Sequence, residues 1–366
     1  MKGPDHPVPS GDREIARLTI GALRLAGFEV DVASDLRTRD GAGDPLDQAR
    51  LTKAADAEVA RLCADFAVTA PDLWFTYHCY YKAPDLVGPR VSQRIGIPYA
   101  ISEPSISIKR RDGPWAAFAH ASEAALRTAN ALFWTTQRDF PALAETNLPG
   151  ELVHLPAFVD IGDPVPPRPS HRPLRLLTVA MMRDGDKLES YRRIALALEA
   201  LETHARPVGL DWSSGGDIVP DAPDVVDWRL DIHGDGPARA AVEALFQRWG
   251  DRVSFHGATE GAALRKAYEN ADVFLWPGVN EGVGMVYLEA QAAGLPVVAE
   301  DHPAQRDLVV APLSRPRDPA ALAEGIRMQA AEREVAGALA RMEVASAHSL
   351  AAAADVLGRT LRDLMR

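Results

Sequence analysis

The chain has 366 residues, of which 47% are hydrophobic and 25% charged, and a formal net charge of −11 at pH 7. That length holds two domains, each able to bury a core of its own, in a soluble globular protein. The acidic surplus argues against nucleic acid or an anionic membrane as a bulk partner.

Strand-like and helix-like segments alternate almost from end to end, the pattern of parallel sheets covered by helices. Residues 1–12, "MKGPDHPVPSGD", contain no strand-forming run, although a doubly wound domain should open with a strand. Either the reading frame begins upstream of Met1, or the first strand is degenerate. "REIARLTIGALRLAG" then reads as a helix ending at Gly27, "FEVDVAS" as a strand, and Leu46 to Phe66 as a long helix. Strands follow at "DLWFTYH", "IPYAIS", "ALFWTT" and "ELVHLP", separated by helical stretches. Residues 164–173, "PVPPRPSHRP", hold five prolines and read as a linker. After it the alternation restarts with "LRLLTVAMM", a helix over about 188–202, "WRLDIHG", a helix from about Ala238, "VSFHG", another helix, "DVFLWP", a helix and "PVVAE". Helices fill the rest.

This predicts an N-terminal Rossmann-like domain over residues 1–163, the linker, and a second Rossmann-like domain over 174–345. A C-terminal helix over 346–366 should pack back on the first domain. In such sheets ligands bind beyond the carboxyl ends of the strands, and with two domains the natural place is a cleft between them. Cys63 falls in a helical pattern and Cys79 follows a strand; neither has metal spacing or a disulfide framework, so burial is expected for both. The run Lys109-Arg110-Arg111 could meet a phosphate, although such a run is more often a solvated face. No apolar run approaches the ~18 residues of a membrane helix, and no signal-peptide core precedes the first helix. The expected location is the cytoplasm.

The most informative stretch is "FLWPGVNEGVGMVYLEAQAAGLPVVAE", residues 274–300. Gly282 and Gly284 allow a tight turn and a close approach of backbone to a ligand. A helix starting near Gly284 offers free N–H groups and a positive dipole end, a site suited to a diphosphate. Glu281 lies just before that start and Glu289 about five residues into the helix, roughly 7–8 Å further along its axis. Carboxylates so close to a diphosphate are repelled unless they accept hydrogen bonds from hydroxyls. A nucleotide sugar supplies hydroxyls on both sides of its diphosphate.

Glu281 and Glu289 with seven residues between them resemble the E-x7-E pattern of the retaining family 4 glycosyltransferases, the glycosyl transferases group 1 of GT-B fold. "IHGDGPAR", "VSFHGAT", "LRKAYENADVFLWP" and "EAQAAGLPVVAE" stand around it in family order from about 230 to 300, and more loosely from 174 to 366. The resemblance implies two Rossmann-like domains whose parallel sheets face each other across a cleft, the first on the acceptor side and the second binding the nucleotide sugar. It implies that Glu281 holds the donor sugar's hydroxyls, that Glu289 holds the ribose, and that the amides of Val283, Gly284 and Met285 hold the diphosphate. Gly236 and Gly257 would line the donor site.

Two cations should neutralise the leaving diphosphate. Lys187 in "TVAMMRDGDKLESY" matches the family lysine, whereas Arg183 is one or two residues nearer to it than usual, with Met181 or Met182 at the common arginine position. In the first domain "PVPSGDREIAR" resembles the glycine loop. Gly11 would approach a ligand there, with Ser10 or Asp12 as a helix N-cap. The family histidine is replaced by Glu103 in "SEPS", and His78 on the neighbouring strand end could partly stand in for it or simply pack. His302 in "EDHPAQRD" is expected to pack in a loop. "GDGPAR" is similar to a dinucleotide fingerprint, but Arg239 stands where a small residue belongs.

The resemblance thus implies a retaining transferase (EC 2.4, hexosyl type) using a UDP-, GDP- or ADP-sugar and an unspecified acceptor hydroxyl. Neither cofactor nor metal would be required. The expected setting is cell-envelope polysaccharide or glycolipid synthesis, in the cytoplasm or at the inner face of the membrane. The alternatives are a sugar-nucleotide epimerase, with Glu103 and His78 as acid and base, and a degenerate nucleotide-sugar-binding protein.

Overall fold

A computed structural model describes residues 3–7, 11–163, 172–203 and 226–366. The chain divides into two compact units, Met1–Val159 with Ala347–Arg366, and Asp160–Ser346. Residues 164–171 of the expected linker, and Ser10, lie outside the described residues.

In the first unit, α1 (Gly11–Leu25) buries Ala16, Leu18, Ala22 and Leu23 on one face. α2 (Pro45–Asp65) starts at Asp44, whose side chain accepts from the Leu46 N–H, and Pro45 presets its first turn. It buries Leu51, Ala55, Val59 and Leu62 at helical spacing. Then come β1 (Trp74–Cys79), α3 (Gly88–Ile95), β2 (Tyr99–Pro104), α4 (Ala116–Thr128), β3 (Ala131–Trp134), α5 (Phe140–Glu145) and β4 (Glu151–His154). The strands are parallel, in order β1-β2-β3-β4, and β1 registers Tyr77 opposite Ser102. The carboxyl ends of β1 and β2 therefore lie side by side.

The strand expected over "FEVDVAS" does not form: residues 28–40 have no regular element. A strand needs a neighbour to satisfy its backbone groups, and the described residues before α1 provide no strand for it to pair with.

In the second unit, β5 (Leu174–Val179) is followed by α6 (Asp186–Thr203), β6 (Trp228–His233), α7 (Arg239–Phe246), β7 (Val253–Gly257), α8 (Gly261–Asn270), β8 (Val273–Leu275), α9 (Met285–Ala292) and β9 (Val297–Val298). α10 (Pro303–Leu308), α11 (Pro319–Ala331) and α12 (Arg333–Ala347) complete it. The sheet is parallel, in order β7-β6-β5-β8-β9. Strand order reverses at β5, so the ends of β5 and β8 flank the crevice where such sheets bind ligands. Leu176, Leu230, Val273 and Phe274 are fully buried in it.

The last helix, α13 (Leu350–Leu364), belongs to the first unit and packs on α1, where Arg362 donates to the Ala26 carbonyl at 2.9 Å. Among the described residues no helix is long and apolar enough to cross a membrane.

Candidate functional site

In the second unit the segments that leave β5 and β8 build the site. After β8 the backbone turns at Gly278 (φ 71°) and Asn280 (φ 52°). A Cβ on Gly278 would lie 1.9 Å from the Tyr287 hydroxyl and 2.1 Å from the Gln305 side-chain nitrogen, so the position requires glycine. Gln305, fully buried, donates to the Gly278 carbonyl at 2.8 Å, and the Tyr287 hydroxyl donates to the Trp276 carbonyl at 3.1 Å. From the other side, α6 anchors the same loop. Ser190 Oγ accepts from the Val279 N–H at 3.0 Å, and Asp186 Oδ2 accepts from Asn280 Nδ2 at 2.9 Å.

At the end of this braced loop Glu281 accepts from the Lys187 ammonium and, at 2.8 Å on the same oxygen, from the Trp276 indole N–H. Lys187 Nζ also stands 5.1 Å from the centre of the Trp276 ring. The pair is mostly enclosed, with 23% of the Lys187 side chain and 11% of Glu281 exposed. Each charge is therefore held by the other rather than by bulk water.

Gly284 precedes α9 in the left-handed conformation (φ 70°), and a glycine at the N-cap brings no side chain to the first amides. Met285 is the first residue of the helix, whose free first-turn N–H groups form a positive dipole end suited to an anion. Gly282 plays no such part in the turn: its φ is not in the left-handed region and a Cβ there would meet open space. The turning glycines are Gly278 and Gly284.

Glu289, the fifth residue of α9, accepts from the Tyr268 hydroxyl at 2.8 Å. Burial and the Glu289 charge raise the Tyr268 pKa well above the usual phenol range, so it stays a donor. Gly234 and Gly236 (φ 148° and 154°) press against the segment after β5; a Cβ would fall 1.8 Å from the Ala180 carbonyl and 2.2 Å from that of Met182. Gly257 (φ 71°) ends β7 without such crowding.

Arg183 is exposed, and among the described residues its side chain has no ion pair. Glu281 takes Lys187 as its ion-pair partner instead. Of the two methionines before it, Met182 is buried and Met181 half exposed. His302 sits at the start of α10, 3.1 Å from the buried Glu300 carboxylate. His233, stacked face to face on His256 with centroids 4.4 Å apart, lies at the end of β6 and bonds Thr259.

The first unit brings His78 and Glu103 together at the ends of β1 and β2, with Nδ1 to Oε2 at 3.0 Å. Both residues hold positive φ, 66° and 49°, a conformation that costs about 1–3 kcal/mol for a side-chain-bearing residue. The Tyr77 hydroxyl lies beside them, its pKa raised by burial and by the Glu103 charge. Gly11 opens α1, and a Cβ there would meet nothing, so its space does not require glycine. Cys79 is the last residue of β1 rather than one beyond it, and burial pushes its thiol up to about 12.

The basic run is not a uniform solvated face. Lys109 is exposed, Arg111 pairs with Glu123 at 2.8 Å, and Arg110 lies over the rings of Tyr81 and Trp115. Sequence reasoning also missed Trp276, Gly278, Asn280, Tyr268 and Gln305. "WPGVNE" carried a signal for the first three, a bulky aromatic at a strand end before turn residues. Gln305 had no local signal.

Residues 217–331 match the family model of glycosyl transferases group 1. A 71-residue stretch is 44% identical to sulfoquinovosyl transferase SQD2 of Arabidopsis thaliana, covering 19% of this chain and 14% of that protein. A 177-residue stretch is 33% identical to D-inositol 3-phosphate glycosyltransferase of Geodermatophilus obscurus, covering 43% of this chain and 39% of that protein. The chain thus spans well under half the length of these curated relatives. The sucrose-phosphate synthase structure from Thermosynechococcus elongatus superposes with a TM-score of 0.66 at 20% identity, covering 99% of this chain and 96% of that one. The fold is GT-B, two α/β units with parallel sheets.

Proposed function

We propose that the protein is a retaining family 4 glycosyltransferase that moves a sugar from a nucleotide-diphosphate sugar to an acceptor hydroxyl. The observation that carries this reading is the enclosed Lys187–Glu281 pair beside the uncapped start of α9, at the point where the sheet order reverses.

In this reading the diphosphate lies on the amides of Val283, Gly284 and Met285 and takes Lys187 as its counter-charge. Glu281, released from the lysine and still oriented by Trp276, accepts from hydroxyls of the donor sugar. Glu289, held by Tyr268, accepts from the ribose, with Gly236 and Gly257 lining the donor site. As the bond between the anomeric carbon and the diphosphate oxygen breaks, negative charge grows on the diphosphate, so Lys187 stabilises the transition state more than the bound substrate. The acceptor oxygen bonds the anomeric carbon from the same face, its proton passes to the leaving phosphate, and the configuration is retained. Charge neutralisation by Lys187 and the helix end takes the place of a divalent metal. Glu103 and His78 serve the sugar or the acceptor hydroxyl in the first unit. The sugar and base of the donor follow from screening UDP-, GDP- and ADP-sugars, and the setting proposed is envelope polysaccharide or glycolipid synthesis at the cytoplasmic face of the membrane.

Incubation with each nucleotide sugar, with and without hydroxyl acceptors, tests the reading. A transferase yields an alpha-linked product only when an acceptor is present. Epimer formed without acceptor, or no reaction in either case, would overturn it.

A further inference from the structure

The turn that follows β1 carries Tyr80, Tyr81 and Lys82, and the loop between β2 and α4 carries Arg110 and Trp115. Tyr81 and Trp115 meet edge to face with centroids 5.9 Å apart. Two cations stand on that one aromatic pair. Lys82 Nζ is 5.7 Å from the Tyr81 ring centre and 5.2 Å from that of Trp115, and the Arg110 guanidinium is 5.3 and 5.0 Å from the same two.

Two of the nearby acids already have partners. Glu123 is paired with Arg111, and Asp40 accepts from the Gln48 side chain and from the Ala42 and Gly43 amides. Among the described residues neither Lys82 nor Arg110 has a carboxylate partner. The pull of an aromatic face on a cation, about 0.5–2 kcal/mol, orients such groups without neutralising them. Two like charges gathered around one aromatic pair repel each other, and an anion within reach of both offsets that repulsion. An arginine fork and a lysine point charge together suit a phosphate. Arg39, beside the Tyr80 hydroxyl, adds a third cation, while Asp12 acts on the same hydroxyl in the opposite sense.

Edge-to-face contacts run from this cation pair to the strand ends. Trp115 meets Tyr81, Tyr81 meets Tyr80 at 5.5 Å, and Tyr80 meets His78 at 4.8 Å, where His78 is bonded to Glu103. One wall of rings, all within the first unit, thus joins the two cations to the carboxylate–imidazole pair.

We propose that Lys82 and Arg110, mounted on Tyr81 and Trp115, form an anion site for the acceptor, which therefore carries a phosphate group as well as the hydroxyl that reacts. The proposal rests on the transferase reading for the word acceptor, but the binding of the phosphate does not depend on transfer. The phosphate belongs either to a small phosphorylated sugar or polyol or to a phospholipid headgroup.

Calorimetric titration with glucose 6-phosphate, glycerol 3-phosphate and inositol phosphate, each against its neutral parent, tests the site. Co-sedimentation with vesicles of anionic phospholipid, against phosphatidylcholine alone, runs in parallel. The expected result is at least a tenfold preference for one phosphorylated compound, or for anionic vesicles, over its neutral counterpart. Lys82→Gln with Arg110→Gln should reduce that preference to less than twofold with an unchanged unfolding midpoint, and Arg110→Lys should keep most of it. A small-molecule preference names a soluble acceptor and a vesicle preference names a lipid headgroup. No preference in any arm, or a preference that survives the double glutamine variant, overturns the proposal. Should the double variant not fold, loss of the preference in Arg110→Gln alone and its return in Arg110→Lys decide the matter. If phosphate preference stands while no nucleotide sugar is turned over, the transferase reading fails and the anion site remains.

Discussion

Each unit joins an acidic and a basic side chain from segments at the carboxyl ends of two adjacent parallel strands, yet the two pairs are held differently. In the first unit His78 and Glu103 themselves adopt left-handed backbone, φ 66° and 49°. Local strain there lies in the two residues that form the pair. In the second unit the left-handed positions fall on neighbours, Gly278, Asn280 and Gly284, while Lys187 and Glu281 keep ordinary backbone. Trp276, Ser190, Asp186, Tyr287 and Gln305 then fix the loop from both sides. A charged pair meant to exchange partners with a ligand needs a rigid surround, because orientation must survive the loss of the pair itself. In the first pair, by contrast, His78 is flanked by the rings of Tyr77 and Tyr80.

The largest effect should come from attacking that surround. Gly278→Ala forces a Cβ against Tyr287 and Gln305 on left-handed backbone and should destabilise the protein by about 2–5 kcal/mol, measured by urea unfolding. A loss under about 1 kcal/mol would show that the loop is not rigidly built. Lys187→Ala should lower kcat about 10²–10³-fold with a much smaller change in KM, since the charge matters most as the diphosphate leaves. Equal losses in binding and turnover would make it a binding lysine only.

Glu289→Ala should weaken nucleotide binding by about 1–3 kcal/mol, the loss typical of a hydrogen bond to a charged group; calorimetry reads it directly. Glu103→Gln tests the other half of the comparison. It keeps the shape but removes the charge facing His78, so transfer should slow about tenfold while stability shifts by less than ~1 kcal/mol. A stability loss as large as that of Gly278→Ala would mean that both pairs are equally structural.

The smallest effect concerns His233. Burial and the His256 charge hold its pKa below the ordinary 6.5. The unfolded chain therefore takes up a proton before the folded one does. The ring's contribution to stability is complete above about pH 6.5 and is lost as the pH falls through the folded value. The difference in urea midpoint between pH 7.5 and 5.5 should shrink in His233→Gln.

Much of the second unit's site was legible because one contiguous stretch carries it. Glu281, Gly284 and Glu289 share residues 274–300, and the pattern of strand, turn and helix around them fixes their places. Lys187, singled out by its match to the family lysine, is the residue that pairs with Glu281. Gly282 was misread, because two glycines flanking a valine look alike in sequence while only Gly284 has left-handed backbone. Arg183 is exposed, and nothing local in its sequence shows which way such a strand-end loop points.

In the first unit the strand order could not be read. "FEVDVAS" has the composition of a strand, but without a neighbour to bond it stays irregular, and pairing is a property of the whole sheet. The ring wall from His78 to Trp115 draws on residues 37 apart in sequence, so no spacing rule reveals it.

The most direct test of the central claim is thermal unfolding of the wild type and Glu289→Ala with UDP, GDP, ADP and their sugars. A nucleotide at 100 times its dissociation constant adds ~2.7 kcal/mol and should raise the midpoint by several degrees. The account predicts such a rise with one base, reduced in the variant. No rise with any of them would contradict a nucleotide-sugar site at the start of α9.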